Sequence, residues 1–165
     1  MPEATKEEIV ANNGLPWLWL GLIIILLDQA TKCWVLSNIS FDERIYVLPF
    51  FDLTLRYNTG AAFNFLAQAG AWAPWFLGTI ALLVSLTIIF TLYRLPRDQR
   101  WVAIALSLIL GGALGNLLDR FYHGYVIDFL LLYVGQWQWP AFNVADSSIC
   151  IGAAMLIIAV LRKRV

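Results

Sequence analysis

The sequence predicts an all-α membrane protein: a four-transmembrane-helix bundle with a small extracytoplasmic β-rich cradle and a short interfacial helix. Three observations point to it. Hydrophobic residues make up 61% of the 165-residue chain and charged residues only 13%, with a mean hydropathy of +0.72, which leaves too little polar surface to coat a water-soluble globule. The apolar residues gather into four segments, each near the roughly 20 residues that a membrane helix needs. Two longer connecting stretches between them carry turn residues and strand-like alternation.

The elements follow in order within one integral membrane domain, 1–165. A polar tail, 1–14, precedes span one at about 16–36. That span ends in Asp-Gln-Ala-Thr-Lys with no small-x-small cleavage site behind it, so it is expected to stay in place rather than be removed as a signal peptide. In the loop 37–70, Leu53, Leu55 and Tyr57 alternate with Thr54 and Arg56, the pattern of a strand with one wet face. Asn58-Thr-Gly60 then predicts a turn, and Ala61 to Ala69 a short apolar piece lying in the interface. Span two covers about 71–93, with Trp72 and Trp75 at its start. A tight hairpin leads to span three, 101–118. The loop 119–141 ends with Trp137 and Trp139, which suit an aromatic belt at the headgroups, and span four runs over 142–161.

Charge orients the bundle and narrows its partners. Lys6, Arg94, Arg97, Arg100, Arg162, Lys163 and Arg164 fall on one side, against Lys32, Arg44, Arg56 and Arg120 on the other. This bias predicts both termini in the cytoplasm and the two longer loops outside. A formal net charge of zero leaves no basic excess for neutralising phosphates, which argues against a nucleic-acid partner. Cys33 and Cys150 both lie inside spans and read as small buried hydrophobes.

Polar residues converge at one depth. At about 1.5 Å per residue, Asp28 lies ~18 Å and Lys32 ~24 Å from the inner end of span one, in a core about 30 Å thick. Both are in the outer half, four apart and able to pair along the helix. Span three brings Asn116, Asp119 and Arg120 to its outer end, and span four starts there with Asn143 and Asp146. Asp128 follows span three closely and reaches the same layer. Ionised groups at membrane depth are expensive and commonly functional, so Asp128 and Asp146 are the first candidates for chemistry. Asp28 and Lys32 are equally readable as structural support and as direct substrate contacts. Asp119 and Arg120 read as an interfacial ion pair or a loop anchor, and Gly111 and Gly115 as a helix-packing face.

Five segments in order carry a resemblance: Asp28-Gln-Ala-Thr-Lys32, Asn58-Thr-Gly-Ala-Ala-Phe63, Gly111-Gly-Ala-Leu-Gly-Asn-Leu-Leu-Asp-Arg120, Gly124-Tyr-Val-Ile-Asp-Phe129 and Phe142-Asn-Val-Ala-Asp-Ser147. Together they resemble the bacterial lipoprotein signal peptidases, the signal peptidase II family of aspartic peptidases, over about Leu15 to Leu161. The resemblance implies an endopeptidase of the bacterial cytoplasmic (inner) membrane, with its active site near the extracytoplasmic face. It would remove the signal peptide from diacylglyceryl-modified prolipoproteins, cutting before the lipidated cysteine. The family's catalytic aspartates fall on Asp128 and Asp146. Substrate-binding or supporting positions fall on Asp28, Lys32, Asn58, Gly60 and Gly112, and on Asn116, Asp119, Arg120, Asn143 and Ala145. The resemblance further implies contact with membrane lipids, no cofactor or metal, inhibition by the cyclic peptide antibiotic globomycin, and action as a monomer.

The residues alone are compatible with that chemistry. Two close carboxylates do not both ionise cheaply, so one keeps a proton while the other accepts one from water. A metallopeptidase would want paired histidines, and His123, read as a loop residue, is the only one. Ser147 and Ser148 have no evident base and sit where helix-capping serines occur. Charged residues at membrane depth also permit a proton-coupled transporter, although four spans without internal repeats suit alternating access poorly. A scaffold using Gly111 and Gly115 to hold a partner helix is a third reading. Under the peptidase reading, the stretches Ser37 to Gly70 and Gly124 to Pro140 are expected to clamp the substrate and move to admit it.

Overall fold

The structure, a computed structural model, describes residues 13–60, 70 and 72–162. The polar tail up to residue 12 and the predicted interfacial piece 61–69 lie outside the described residues, as do Lys6, Lys163 and Arg164. After a 3-10 turn at Leu15–Trp17 come α1 (Leu18–Asn38), β1 (Arg44–Leu48), β2 (Phe51–Asn58), α2 (Ala73–Arg94), α3 (Arg100–His123), β3 (Val126–Val134), β4 (Trp137–Gln138) and α4 (Val144–Arg162). Among the described residues, four helices are long and apolar enough to cross a membrane.

Three helices lie within a few residues of their predicted bounds, but α3 runs past Leu118 to His123. Asp119 and Arg120 therefore sit on the helix rather than in the following loop, and His123 is its last residue. The stop comes from Gly124, whose φ of 78° is left-handed and whose N–H bonds to the carbonyl of Arg120 at 3.1 Å. A side chain is rarely tolerated in that conformation, so glycine and not polarity ends the helix.

α3 is the hub. Its buried positions include Ala103, Ala105, Ser107, Gly111, Gly112, Ala113 and Gly115, small residues that let backbones approach where lipid supplies no hydrophobic drive for association. A Cβ on Gly111 would lie 2.6 Å from the carbonyl oxygen of Gly21 on α1, and one on Gly115 would lie 2.7 Å from Oδ2 of Asp28. A Cβ on Gly112 would overlap the carbonyl oxygen of Ala145 on α4 and stand 2.5 Å from Oγ of Ser148. The Gly111 and Gly115 face is thus filled from within the molecule, which removes the basis for reading it as a scaffold's docking face. Leu22, Leu26, Leu83 and Leu86 are exposed on the outside of the bundle. Cys33 and Cys150 are exposed as well, which corrects the expected burial. A small apolar thiol suits a lipid-facing position as well as a core.

The four strands form one antiparallel sheet in the order β1-β2-β3-β4. β2 pairs with β3 so that Leu53 faces Leu130, Arg56 faces Asp128 and Asn58 faces Val126. Three steps along β2 match two along β3, so β2 bulges between Leu53 and Arg56. The bulge breaks the predicted alternation: Thr54 and Leu55 are both buried, and Tyr57 is exposed rather than turned inward. Val35 and Ile39 at the end of α1 pack with Leu55, Ile127 and Phe129 to seat the sheet on the bundle. The strands of the sheet come from both connecting stretches and are joined by a backbone ladder, so the described parts of those stretches form one sheet.

Adding a methyl at the α3–α4 contact checks this packing. Gly112→Ala is expected to force α4 outward and destabilise the protein by about 1–3 kcal/mol, as overpacking does. Thermal unfolding in detergent, followed by tryptophan fluorescence, measures it.

Candidate active site

A buried ion cluster forms where α1, α3 and α4 meet the sheet. Asp28 and Lys32 stand four apart on α1, and Nζ of Lys32 lies 2.7 Å from Oδ2 of Asp28. It also lies 2.7 Å from Oδ2 of Asp119 and donates to Oδ1 of Asn116 at 3.0 Å. These contacts use all three ammonium protons, and none of the three charged side chains is more than 1% exposed. Asp119 therefore pairs with Lys32 and not with its neighbour Arg120, a correction to the expected interfacial pair. Successive residues point to different helix faces, and the inward one carries Asp119.

The remaining carboxylate oxygens take backbone and amide donors. The Ala145 N–H, in the first turn of α4, donates to Oδ1 of Asp28 at 2.9 Å. The Ile127 N–H on β3 donates to Oδ2 of Asp119 at 3.0 Å. Nε2 of Gln29 reaches Oδ1 of Asp119 at 2.9 Å, and Oδ2 of Asp28 and the Gly115 carbonyl at 3.2 Å each. Gln29 was not singled out in the sequence, although it lies inside the Asp28 to Lys32 motif. One ion cluster thus fixes α1, α3, α4 and β3 relative to one another.

Asn116 carries this order outward. Its Oδ1 faces the donor Lys32, which turns its Nδ2 the other way, toward Oδ1 of Asp146 at 2.8 Å. Asp146 is otherwise held by a reciprocal cap at the start of α4. Its N–H donates to Oδ1 of Asn143 at 2.8 Å, and the Asn143 N–H donates to its Oδ2 at 3.2 Å. The Asn-x-x-Asp spacing is that of a capping box, a local signal that identifies this helix start and was not read from the sequence. The helix dipole favours a negative group there.

Asp128 approaches from the sheet. Asn58, at the end of β2, donates from Nδ2 to its Oδ2 at 3.0 Å, and Nδ2 of Asn143 donates to its Oδ1 at 2.8 Å. Asn143 therefore touches both aspartates, one by its side chain and the other by its backbone and side chain. Burial, reinforced by the charge on Asp146, pushes the Asp128 carboxyl up to about 7, while the Asn58 and Asn143 donors pull the other way. Asp128 is buried and Asp146 half-buried, so the pair is approached from the Asp146 side.

The predicted turn at Asn58-Thr59-Gly60 is present, with the Gly60 N–H donating to Oδ1 of Asn58 at 2.9 Å. Arg120 closes this side, donating to the carbonyl oxygens of Gly60 at 3.1 Å and Asn116 at 3.2 Å. The structure thus gathers the predicted polar positions into one network, with Gly112 acting through close packing alone. Ser147 and Ser148 hold neither carboxylate, since their hydroxyls donate to the backbone carbonyls of Asn143 and Ala145.

These features define a class: an integral membrane enzyme whose carboxylates are held where a helical bundle meets a small sheet. Comparison with known proteins narrows it. A family model described as signal peptidase (SPase) II matches residues 20–162. The lipoprotein signal peptidase of Alteromonas mediterranea is 50% identical over 92% of this chain and 83% of its own length. That of Pseudoalteromonas atlantica is 46% identical, covering 93% of each chain. Two solved structures titled as bacterial membrane enzymes superpose with TM-scores of 0.82 and 0.77, at 28% and 27% identity. The first covers 90% of this chain and 89% of its own, the second 88% and 92%. The chain belongs to the signal peptidase II family, and is a multi-pass membrane peptidase.

Removing the buried cation isolates the role of the ion cluster. Lys32→Met leaves Asp28 and Asp119 facing each other without a counter-charge, and breaking such buried pairs costs about 3–5 kcal/mol. A matching fall in unfolding free energy is expected, read by denaturation in mixed micelles.

Proposed function

We propose that the chain is an aspartic endopeptidase that removes the signal peptide from diacylglyceryl-modified prolipoproteins, cutting just before the lipidated cysteine. The observation that carries this reading is the pair Asp128 and Asp146, both bonded to Asn143, with Asp128 holding its proton up to about pH 7. The similarity to lipoprotein signal peptidases supports the substrate class.

The pair shares one proton, which rests on Asp128. Asp146 accepts a proton from a water held between the carboxyls, and the hydroxide formed attacks the scissile carbonyl. Asp128 donates its proton toward the developing oxyanion, which needs stabilisation in a water-poor site. Collapse of the tetrahedral intermediate breaks the C–N bond: the proton taken up by Asp146 passes to the leaving amine, and the hydroxyl formed on the former carbonyl oxygen returns its proton to Asp128. Water and the peptide bond become a carboxylic acid and an amine. Asn58, Asn116 and Asn143 hold the two carboxyls in place, and Arg120 lines the approach for a substrate carbonyl or lipid phosphate.

The whole chain forms one peptidase domain that works as a monomer. Arg94, Arg97, Arg100 and Arg162 lie at the bundle end opposite the aspartates, and this basic bias supports a cytoplasmic location for that end. The aspartates then lie near the extracytoplasmic face of the inner membrane. At that height a scissile bond rests beside its own diacylglyceryl anchor while the signal helix spans inward. Globomycin inhibits by occupying the pair.

Purified enzyme and a diacylated precursor in detergent test the assignment. Asp128→Asn and Asp146→Asn are each expected to lower cleavage by roughly 10²–10⁴-fold, the usual contribution of a positioned acid or base. Full cleavage by either variant rejects the aspartic mechanism. A separate check uses pH. The acid form of Asp128 is the active one and disappears as pH rises, so kcat/KM, which reports ionisations of the free enzyme, is expected to decline through about 7. Asn58→Ala removes a donor that favours the ionised form, and is expected to move this alkaline limb to higher pH.

A further inference from the structure

The opposite end of the bundle holds a cavity of about 190 Å³, lined by Asn13, Pro16, Trp17, Trp19, Arg97 and Arg100. None of these residues belongs to the network around Asp128 and Asp146. The cavity lies between the chain entering α1 and the hairpin from α2 to α3, held together by a bridge between Asn13 and Pro96 and by the Gly14 N–H donating to the Leu92 carbonyl at 2.9 Å.

Its chemistry is that of an anion site. Arg97 and Arg100 are exposed, and among the described residues neither forms an ion pair, with Asp98 of the same hairpin or with any other acid. Arg100 opens α3, a helix of 24 residues with no acidic residue in its first turn and no side-chain cap from Gln99. No carboxylate within the first turn offsets the positive end of that dipole at the cavity. A second, independent observation is Asn13. It is 3% exposed, and its Oδ1 accepts the Leu15 N–H at 3.0 Å, yet its Nδ2 has no partner among the described residues. A buried amide donor left unpaired is costly, and an oxyanion in the cavity would satisfy it.

The surroundings favour a lipid as the source of that anion. Trp19 is 54% exposed and its ring stacks with that of Trp17 at 6.2 Å, the placement of indoles at a headgroup boundary. Exposed Leu22, Ile23 and Leu26 continue along α1, where acyl chains would lie. We propose that this cavity binds the phosphate of an anionic phospholipid from the leaflet at that end, with Arg97, Arg100 and the Asn13 amide as its donors and Trp17 and Trp19 against its glycerol region.

Native mass spectrometry of the full chain in detergent tests this, with phosphatidylglycerol, phosphatidylcholine and inorganic phosphate as probes. Preferential retention of phosphatidylglycerol is expected. The double variant Arg97→Gln, Arg100→Gln is expected to weaken that retention by roughly tenfold to thirtyfold, each basic residue near an anionic surface contributing about fivefold. Asn13→Asp keeps the acceptor for Leu15 and replaces the free donor by a negative oxygen, so it is expected to abolish the preference. Both variants should retain the wild-type rate of precursor cleavage in detergent, which shows that they fold. Equal retention of the two lipids, or phosphatidylglycerol retention unchanged in both variants, overturns the proposal. Retention of inorganic phosphate without any lipid preference overturns it as well, and assigns the cavity to a free anion.

Discussion

Lys32 is buried among apolar helices with its ammonium group shared by Asp28, Asp119 and Asn116, and the rest of the site depends on that arrangement. An unpaired charge at this depth would be expensive, so the three groups must meet in one geometry. Their meeting aligns α1 with α3. The spare oxygens of the two carboxylates then capture the Ala145 and Ile127 N–H groups, which locates the start of α4 and the start of β3. The cluster also orients Asn116, because an ammonium can only donate and so selects the carbonyl end of the amide. Everything closer to Asp146 inherits that choice.

The two aspartates reach their positions by different routes. Asp146 is fixed locally, by the reciprocal cap with Asn143 and by the N-terminus of α4, which favour a carboxylate there. Asp128 is fixed by long-range pairing, carried on β3 between the bundle and β2 and held by donors from Asn58 and Asn143. Burial pushes the carboxyl of Asp128 up to about 7. Asn143 couples the pair, so a shift of α4 relative to the sheet would disturb both.

The bilayer as solvent explains why the bundle tolerates this polar load. Helices in lipid associate through close packing, and the small residues of α3 bring neighbouring backbones near enough for side chains at its C-terminal end to interlock. Gly115 shows the link, since its missing side chain leaves the space that Oδ2 of Asp28 occupies. Packing in the apolar middle and ion pairing near the C-terminal end of α3 are thus parts of one arrangement.

Much of this was determined by sequence alone. Four spans follow from hydropathy, the Asp28–Lys32 pair from helical spacing and the turn at Asn58 from its residue types, because each depends on groups a few positions apart. The five motifs marked the family. Tertiary structure decided the rest. Gly124, and not the first polar residue, ended α3, which placed Asp119 on the buried face to meet Lys32. A bulge in β2 buried Thr54 and exposed Tyr57 against the alternating pattern, and the two connecting stretches merged into one sheet. Gln29 gained its role only when α3 lay alongside α1. Such partners are distant along the chain, and only the packing of whole elements decides which faces meet.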